Sequence, residues 1–169
     1  MINLFNINNY KIDTSSYTSF LSDERVQKLE NQIADFVGAK YACSMHSATM
    51  AIFLCLMEEE SQTIEIPAII PPVAILCAKH SVVYRDDIDW VGSSYILHEF
   101  PDYKIIDSAQ QLEKNQFKKQ ANDEDLMIFS FYPTKPVGSI DGGMVVSNDY
   151  EKIQKLKILS RYGMTDNKN

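Results

Sequence analysis

Apolar residues come along this chain in short blocks, and the blocks switch between helical and strand periods. Val26, Leu29, Ile33, Phe36 and Val37 keep one helical face behind the capping residues Ser22 and Asp23, and Gly38 closes the helix. Tyr41–Met45 reads as a strand; Ser47 and Thr49 then open an apolar helix over 48–57 that runs into Glu58, Glu59 and Glu60. A strand over 63–66 stops at Pro67, and Pro71 and Pro72 suit the first turn of a helix over 73–79. Strands follow over 81–84, 95–98 and 104–106, with an acidic turn at 86–89. The polar run 114–125 predicts a loop holding one helical turn. Residues 127–131 form a short apolar run, with Ser130 inside it, suited to a buried strand, and 144–147 read as a second strand. Asp149 caps a last helix, Tyr150–Ser160. The first twenty residues show no period and read as an irregular arm, leaving 21–169 as the folded unit. Strands alternating with helices predict an α/β fold with a mostly parallel sheet.

Charge and composition narrow the function. A net charge of −7 argues against nucleic acid or an anionic membrane as the main partner, while leaving room for small anionic ligands held by local donors. No apolar run approaches a membrane span, and the N-terminus lacks the basic-then-apolar order of a signal peptide. Cys43, Cys55 and Cys77 have no CxxC spacing and read as reduced core residues; His46, His80 and His98 are too scattered for a zinc motif. A cytoplasmic protein without a metal is expected.

Three places carry candidate chemistry. Lys135 stands just past the apolar block 127–131, fixed between Pro133 and Pro136, and Gly138, Gly142 and Gly143 permit a tight return. It is either a solvated turn lysine or a partly desolvated amine with the lowered pKa of a Schiff-base nucleophile. Ser47, Ala48 and Thr49 form a strand-to-helix junction, which is either a plain cap or an anion site. Asp107 follows a strand, where it either caps the next turn or serves as a site carboxylate at a strand's C-terminal end. With Ser130 these residues offer an anion site, a carboxylate, a hydroxyl and a lysine amine. Pyridoxal phosphate asks for that combination: donors for its phosphate, an anion for its ring nitrogen and a lysine for its aldehyde.

The order of these pieces resembles the DegT/DnrJ/EryC1/StrS family of sugar aminotransferases, which are fold-type-I pyridoxal-phosphate enzymes. VQKLENQIADFVGAKYAC resembles the family's first helix and strand, followed by SATMAI at 47–52. EIPAII at 65–70 resembles a strand end and proline, IIDSAQQL at 105–112 the Glu-Asp-x-Ala-Gln segment, and FSFYPTKPVGSIDGGMVVSND at 129–149 the lysine segment. The resemblance implies the N-terminal half of that fold, a partial large domain without the small C-terminal domain. It implies that Lys135 is the cofactor-bearing, proton-shuttling lysine and that Asp107 pairs with the ring nitrogen. Gln110 then lies against the phenolic oxygen, and Ser130, Ala48 and Thr49 hold the phosphate. The implied activity moves an amino group from an amino acid, glutamate by family habit, to a nucleotide-linked keto sugar. The implied assembly is a homodimer, or a complex with a chain that supplies the missing half.

Departures stand beside the matches. Ala48 replaces a glycine, Ile140 a glycine and Asp141 a glutamate, while Pro71 and Pro72 fall where the family has an aromatic or histidine against the cofactor ring. The competing reading is a non-catalytic binding or assembly protein that keeps the fold. Retention of Lys135, Asp107, Gln110 and Ser130 together speaks against it, because a structural role requires none of them.

Overall fold

A computed structural model describes residues 15, 23–161, 163 and 164; the arm predicted for the first twenty residues lies, apart from residue 15, outside them. Asp23 caps α1 (Glu24–Val37) by accepting from the Arg25 N–H, and Gly38 closes it in the left-handed region at φ 81°. The remaining elements run β1 (Tyr41–Met45), α2 (Ala48–Leu56), β2 (Thr63–Pro67), α3 (Val73–Cys77) and β3 (Ser81–Arg85), then β4 (Tyr95–Glu99), β5 (Lys104–Asp107), α4 (Gln116–Gln120), β6 (Leu126–Ser130), β7 (Gly143–Ser147) and α5 (Tyr150–Ser160). Each predicted element forms within two residues of its expected bounds.

The sheet is where expectation and structure part. One five-stranded sheet has the order β1-β7-β6-β5-β4, and β2 and β3 pair separately. β5–β6 and β2–β3 are parallel, whereas β1–β7, β6–β7 and β4–β5 are antiparallel. The sheets are therefore mixed rather than mostly parallel. Connection length accounts for the β4–β5 pair, since a parallel return needs a crossover of a dozen or more residues and only residues 100–103 join these strands. Only α3 and α4 lie on such crossovers. β4 and β5 are joined through a tight turn in which Phe100 N–H donates to Tyr103 O, so they must run antiparallel.

Alternation along the strands divides the core in two. Cys43, Met45, Tyr95, Leu97, Ile105, Leu126, Ile128 and Val145 face a layer that includes α2 and α5. Ala42, Ile106, Met127, Phe129, Met144 and Val146 face the opposite side, against Ala34 and Val37 of α1 and Phe117 of α4. β6 and β7 are buried along their whole length, so both faces of the sheet centre are covered.

α1 sits differently from its sequence pattern. Glu30, Ala34 and Val37 face inward, while Val26, Leu29 and Phe36 stay 39%, 42% and 43% exposed. The rotation is held by Glu30, which is buried and fully engaged. It accepts from Ser44 N (2.8 Å), Ser44 Oγ (3.0 Å) and Lys157 Nζ (2.7 Å), tying α1 to β1 and α5. Cys43 and Cys55 are core residues, and burial pushes the Cys43 thiol up to about 11. Cys77, expected in the core, is exposed at the end of the short α3. Among the described residues, no helix is long and apolar enough to cross a membrane.

Candidate active site

Strand direction gathers the predicted residues at one edge. β5 and β6 run parallel and end at Asp107 and Ser130. Asp107 pairs with Ile128, so Ser130, two residues further along, shares its face of the sheet. Ser130 in turn pairs with Gly143 at the start of β7, and Gly143 lies against the first residues of α2. A Cβ on Gly143 would stand 2.4 Å from Ala48 N and 2.5 Å from Ser47 C. Only glycine allows β7 this close to the helix start. The carboxyl ends of the parallel strands, the positive end of α2 and the β6–β7 connection with Lys135 thus share one edge, the usual ligand edge of an α/β sheet.

Ser47 caps α2, its Oγ accepting from Met50 N at 3.1 Å. The first-turn N–H groups of Ala48 and Thr49 have no partner inside the helix. Ser130 is buried, its Oγ near Tyr132 N at 3.4 Å. Thr49 is exposed and Gln110 is half-buried in the turn after β5. Among the described residues neither is hydrogen-bonded to another site residue.

Asp107 and Lys135 form the electrostatic centre. Asp107 is buried; its Oδ1 accepts from Ala109 N at 2.9 Å and its Oδ2 from Tyr95 OH at 3.1 Å. Burial raises its pKa, opposed by those two hydrogen bonds and by the Lys135 charge. Lys135 is half-buried, and burial lowers its pKa while Asp107 works the other way. The lysine is partly withdrawn from solvent. Its Nζ lies 5.1 Å from the centroid of the Trp90 ring.

Trp90 and Tyr95 were not legible as site residues. The ring beside Lys135 belongs to Trp90, not to the segment of Pro71 and Pro72. Tyr95 reaches Asp107 through a register shift between Ile96 and His98. Counted back from the turn without that shift, Ile96 would oppose Asp107. A bulge of this kind leaves no trace in an apolar strand pattern.

The donor set fits pyridoxal phosphate. An amine below its usual pKa, a buried carboxylate whose oxygens each keep a lone pair, and a serine beside a helix start answer the aldehyde, ring nitrogen and phosphate in turn. The Trp90 indole N–H is buried without a hydrogen-bond partner.

The fold is the large-domain architecture of fold-type-I pyridoxal-phosphate transferases. Within that class, the chain belongs to the DegT/DnrJ/EryC1/StrS aminotransferase family, whose sequence pattern matches residues 7–86 and 103–169. It is 28% identical over 198 aligned positions to the UDP-4-amino-4,6-dideoxy-N-acetyl-beta-L-altrosamine transaminase of Campylobacter jejuni, covering 90% of this chain and 53% of that relative. The crystal structure of DesV from S. venezuelae superposes with a TM-score of 0.66 at 17% identity, over 88% of this chain and 51% of that one. NtdA from Bacillus subtilis, solved with its cofactor PMP bound, gives a TM-score of 0.65 at 14% identity, over 88% of this chain and 43% of that one. The chain spans about half the length of the curated relatives it matches.

Proposed function

We propose that this chain is a pyridoxal-phosphate-dependent aminotransferase subunit that moves an amino group from an amino acid, glutamate in the first instance, to a nucleotide-linked keto sugar in the cytoplasm. The meeting of Lys135, Asp107, Ser130 and the start of α2 at one sheet edge carries the reading. The names of its relatives, nucleotide-sugar transaminases among them, give the substrate class. Residues 21–169 then act as a partial large domain.

When bound, pyridoxal phosphate supplies an electron sink that stabilises negative charge at the carbon bearing the transferred nitrogen. Lys135 Nζ holds the cofactor and carries a proton between donor and acceptor carbons. Its depressed pKa leaves more of the amine uncharged and able to accept that proton. Asp107 would hold the ring nitrogen's proton, and Gln110 would face the phenolic oxygen. Ser130 Oγ with the Ala48 and Thr49 N–H groups binds the phosphate at the positive end of α2. The working form is a homodimer. Val26, Leu29 and Phe36 leave an apolar strip on α1, and a cavity of about 750 Å³ opens beside it between α1, β1, α2 and α5.

Incubation with pyridoxal phosphate, borohydride reduction and peptide mass mapping test the reading. The expected result is one pyridoxyl group, on Lys135. Unmodified Lys135 at saturating cofactor would overturn it.

A further inference from the structure

The family pattern leaves residues 87–102 unmatched, yet this stretch reaches into the site twice. Trp90 brings its ring to Lys135, and Tyr95 brings its hydroxyl to Asp107. Family membership does not account for either contact. The geometry that produces the second is specific. β4 and β5 form a tight antiparallel hairpin, and the register shift between Ile96 and His98 puts Tyr95 directly opposite Asp107. Opposed residues of an antiparallel pair project from the same face. Tyr95 and Leu97 both point into the core, with exposed Ile96 between them. The bulge re-aims β4 so that a phenol, rather than isoleucine, meets the carboxylate.

Resting on the cofactor site proposed above, we infer that Tyr95 is a positioning residue that holds Asp107 as an anion for the cofactor's ring nitrogen. Desolvation is the largest influence on Asp107 and favours its neutral acid. A neutral acid has no charge with which to keep the ring nitrogen protonated. The groups facing Asp107 are Tyr95 from β4, the Ala109 N–H from the following turn and Lys135 from the β6–β7 connection. Lys135 is committed to the cofactor once it binds, and its charge no longer serves Asp107 alone. That leaves Ala109 and Tyr95 as fixed donors. Tyr95 stays a phenol throughout, because burial and the neighbouring carboxylate both push its pKa up. It therefore donates at every working pH and directs Oδ2 without competing for the proton.

Tyr95→Phe removes the donor and keeps the ring. Pyridoxal phosphate labelled with ¹⁵N at the ring nitrogen reports the consequence in an NMR pH titration of the full chain, with mass mapping of Lys135 on the same samples. The wild type is expected to show a protonated ring nitrogen near pH 7. In Tyr95→Phe the proton moves to the now more basic Asp107, and the resonance shifts toward the unprotonated position with Lys135 still labelled. Tyr95→Gln, which restores a donor, should move it back. Asp107→Asn should give the unprotonated resonance whether or not Tyr95 is changed. If Tyr95→Phe fails to fold by far-UV circular dichroism, the Gln variant decides: a wild-type resonance supports the inference and an unprotonated one overturns it. Labelled Lys135 with the same resonance in wild type and Tyr95→Phe would overturn the inference and leave the cofactor site standing. No bound resonance and no labelled Lys135 in the wild type would overturn both.

Discussion

Asp107 shows how one residue serves function against stability. Burial lifts its pKa above that of the unfolded chain, with the Ala109 N–H, Tyr95 and Lys135 opposing. When the folded pKa is the higher one, the native state binds more protons between the two values. The group's contribution to stability is then lost as pH rises through that window. Asp107→Asn removes the titration. Ligand-free Asp107→Asn should therefore gain on the wild type in melting temperature as pH rises through that window, and the difference should level off in acid. Calorimetry at a series of pH values checks it; a wild type that gains on the variant as pH rises would contradict the sign. The same substitution should leave pyridoxal phosphate on Lys135 yet cut transamination about 100-fold or more, since the charge opposite the ring nitrogen is gone. Activity at the wild-type level would make Asp107 a turn cap and no more.

At the scale of elements, nearly all the helices and strands could be read from one sequence, because their signals are local. Asp23 and Gly38 bracket α1, Asp149 caps α5, and the apolar block that becomes β6 needs no partner to declare itself. What stayed hidden depends on contacts between elements. The hairpin at β4–β5, the inward turn of Glu30 and the site roles of Trp90 and Tyr95 are set by connection length, register and packing. Two substitutions probe these contacts. Glu30→Ala leaves Lys157 Nζ and the Ser44 N–H without their acceptor in a buried position, and should cost about 3 kcal/mol in urea unfolding. Lys157→Met should cost a comparable amount, because it strands the Glu30 carboxylate at 4% exposure with only the Ser44 donors left. Gly143→Ala forces a Cβ onto the backbone of Ser47 and Ala48, which cannot swing aside as a side-chain tip could. It should cost about 2–3 kcal/mol and weaken pyridoxal phosphate binding together with stability, by parting Ser130 from the helix start. Wild-type affinity in Gly143→Ala, measured by fluorescence titration, would uncouple that contact from the site.

Over the whole molecule, the surface that the sheet does not explain lies on α1. A helix in a three-layer α/β fold needs one apolar stripe, toward the sheet. α1 has its inward face at Ala34 and Val37, yet leaves Val26, Leu29 and Phe36 exposed. Val26 and Leu29 line the cavity, and Phe36 is exposed two turns further along the helix. Of the charged residues that line the cavity, Glu30 and Lys157 are already paired to each other. In the homodimer proposed above, a second copy meeting it helix to helix would bury the strip on both sides at once. Sedimentation velocity at micromolar concentration should then give a dimer. Leu29→Lys with Phe36→Glu should give a monomer of unchanged circular dichroism, since neither side chain belongs to either core cluster. A wild type that sediments as a stable monomer across that range would overturn the dimer. A dimer that survives both substitutions would place the interface away from α1.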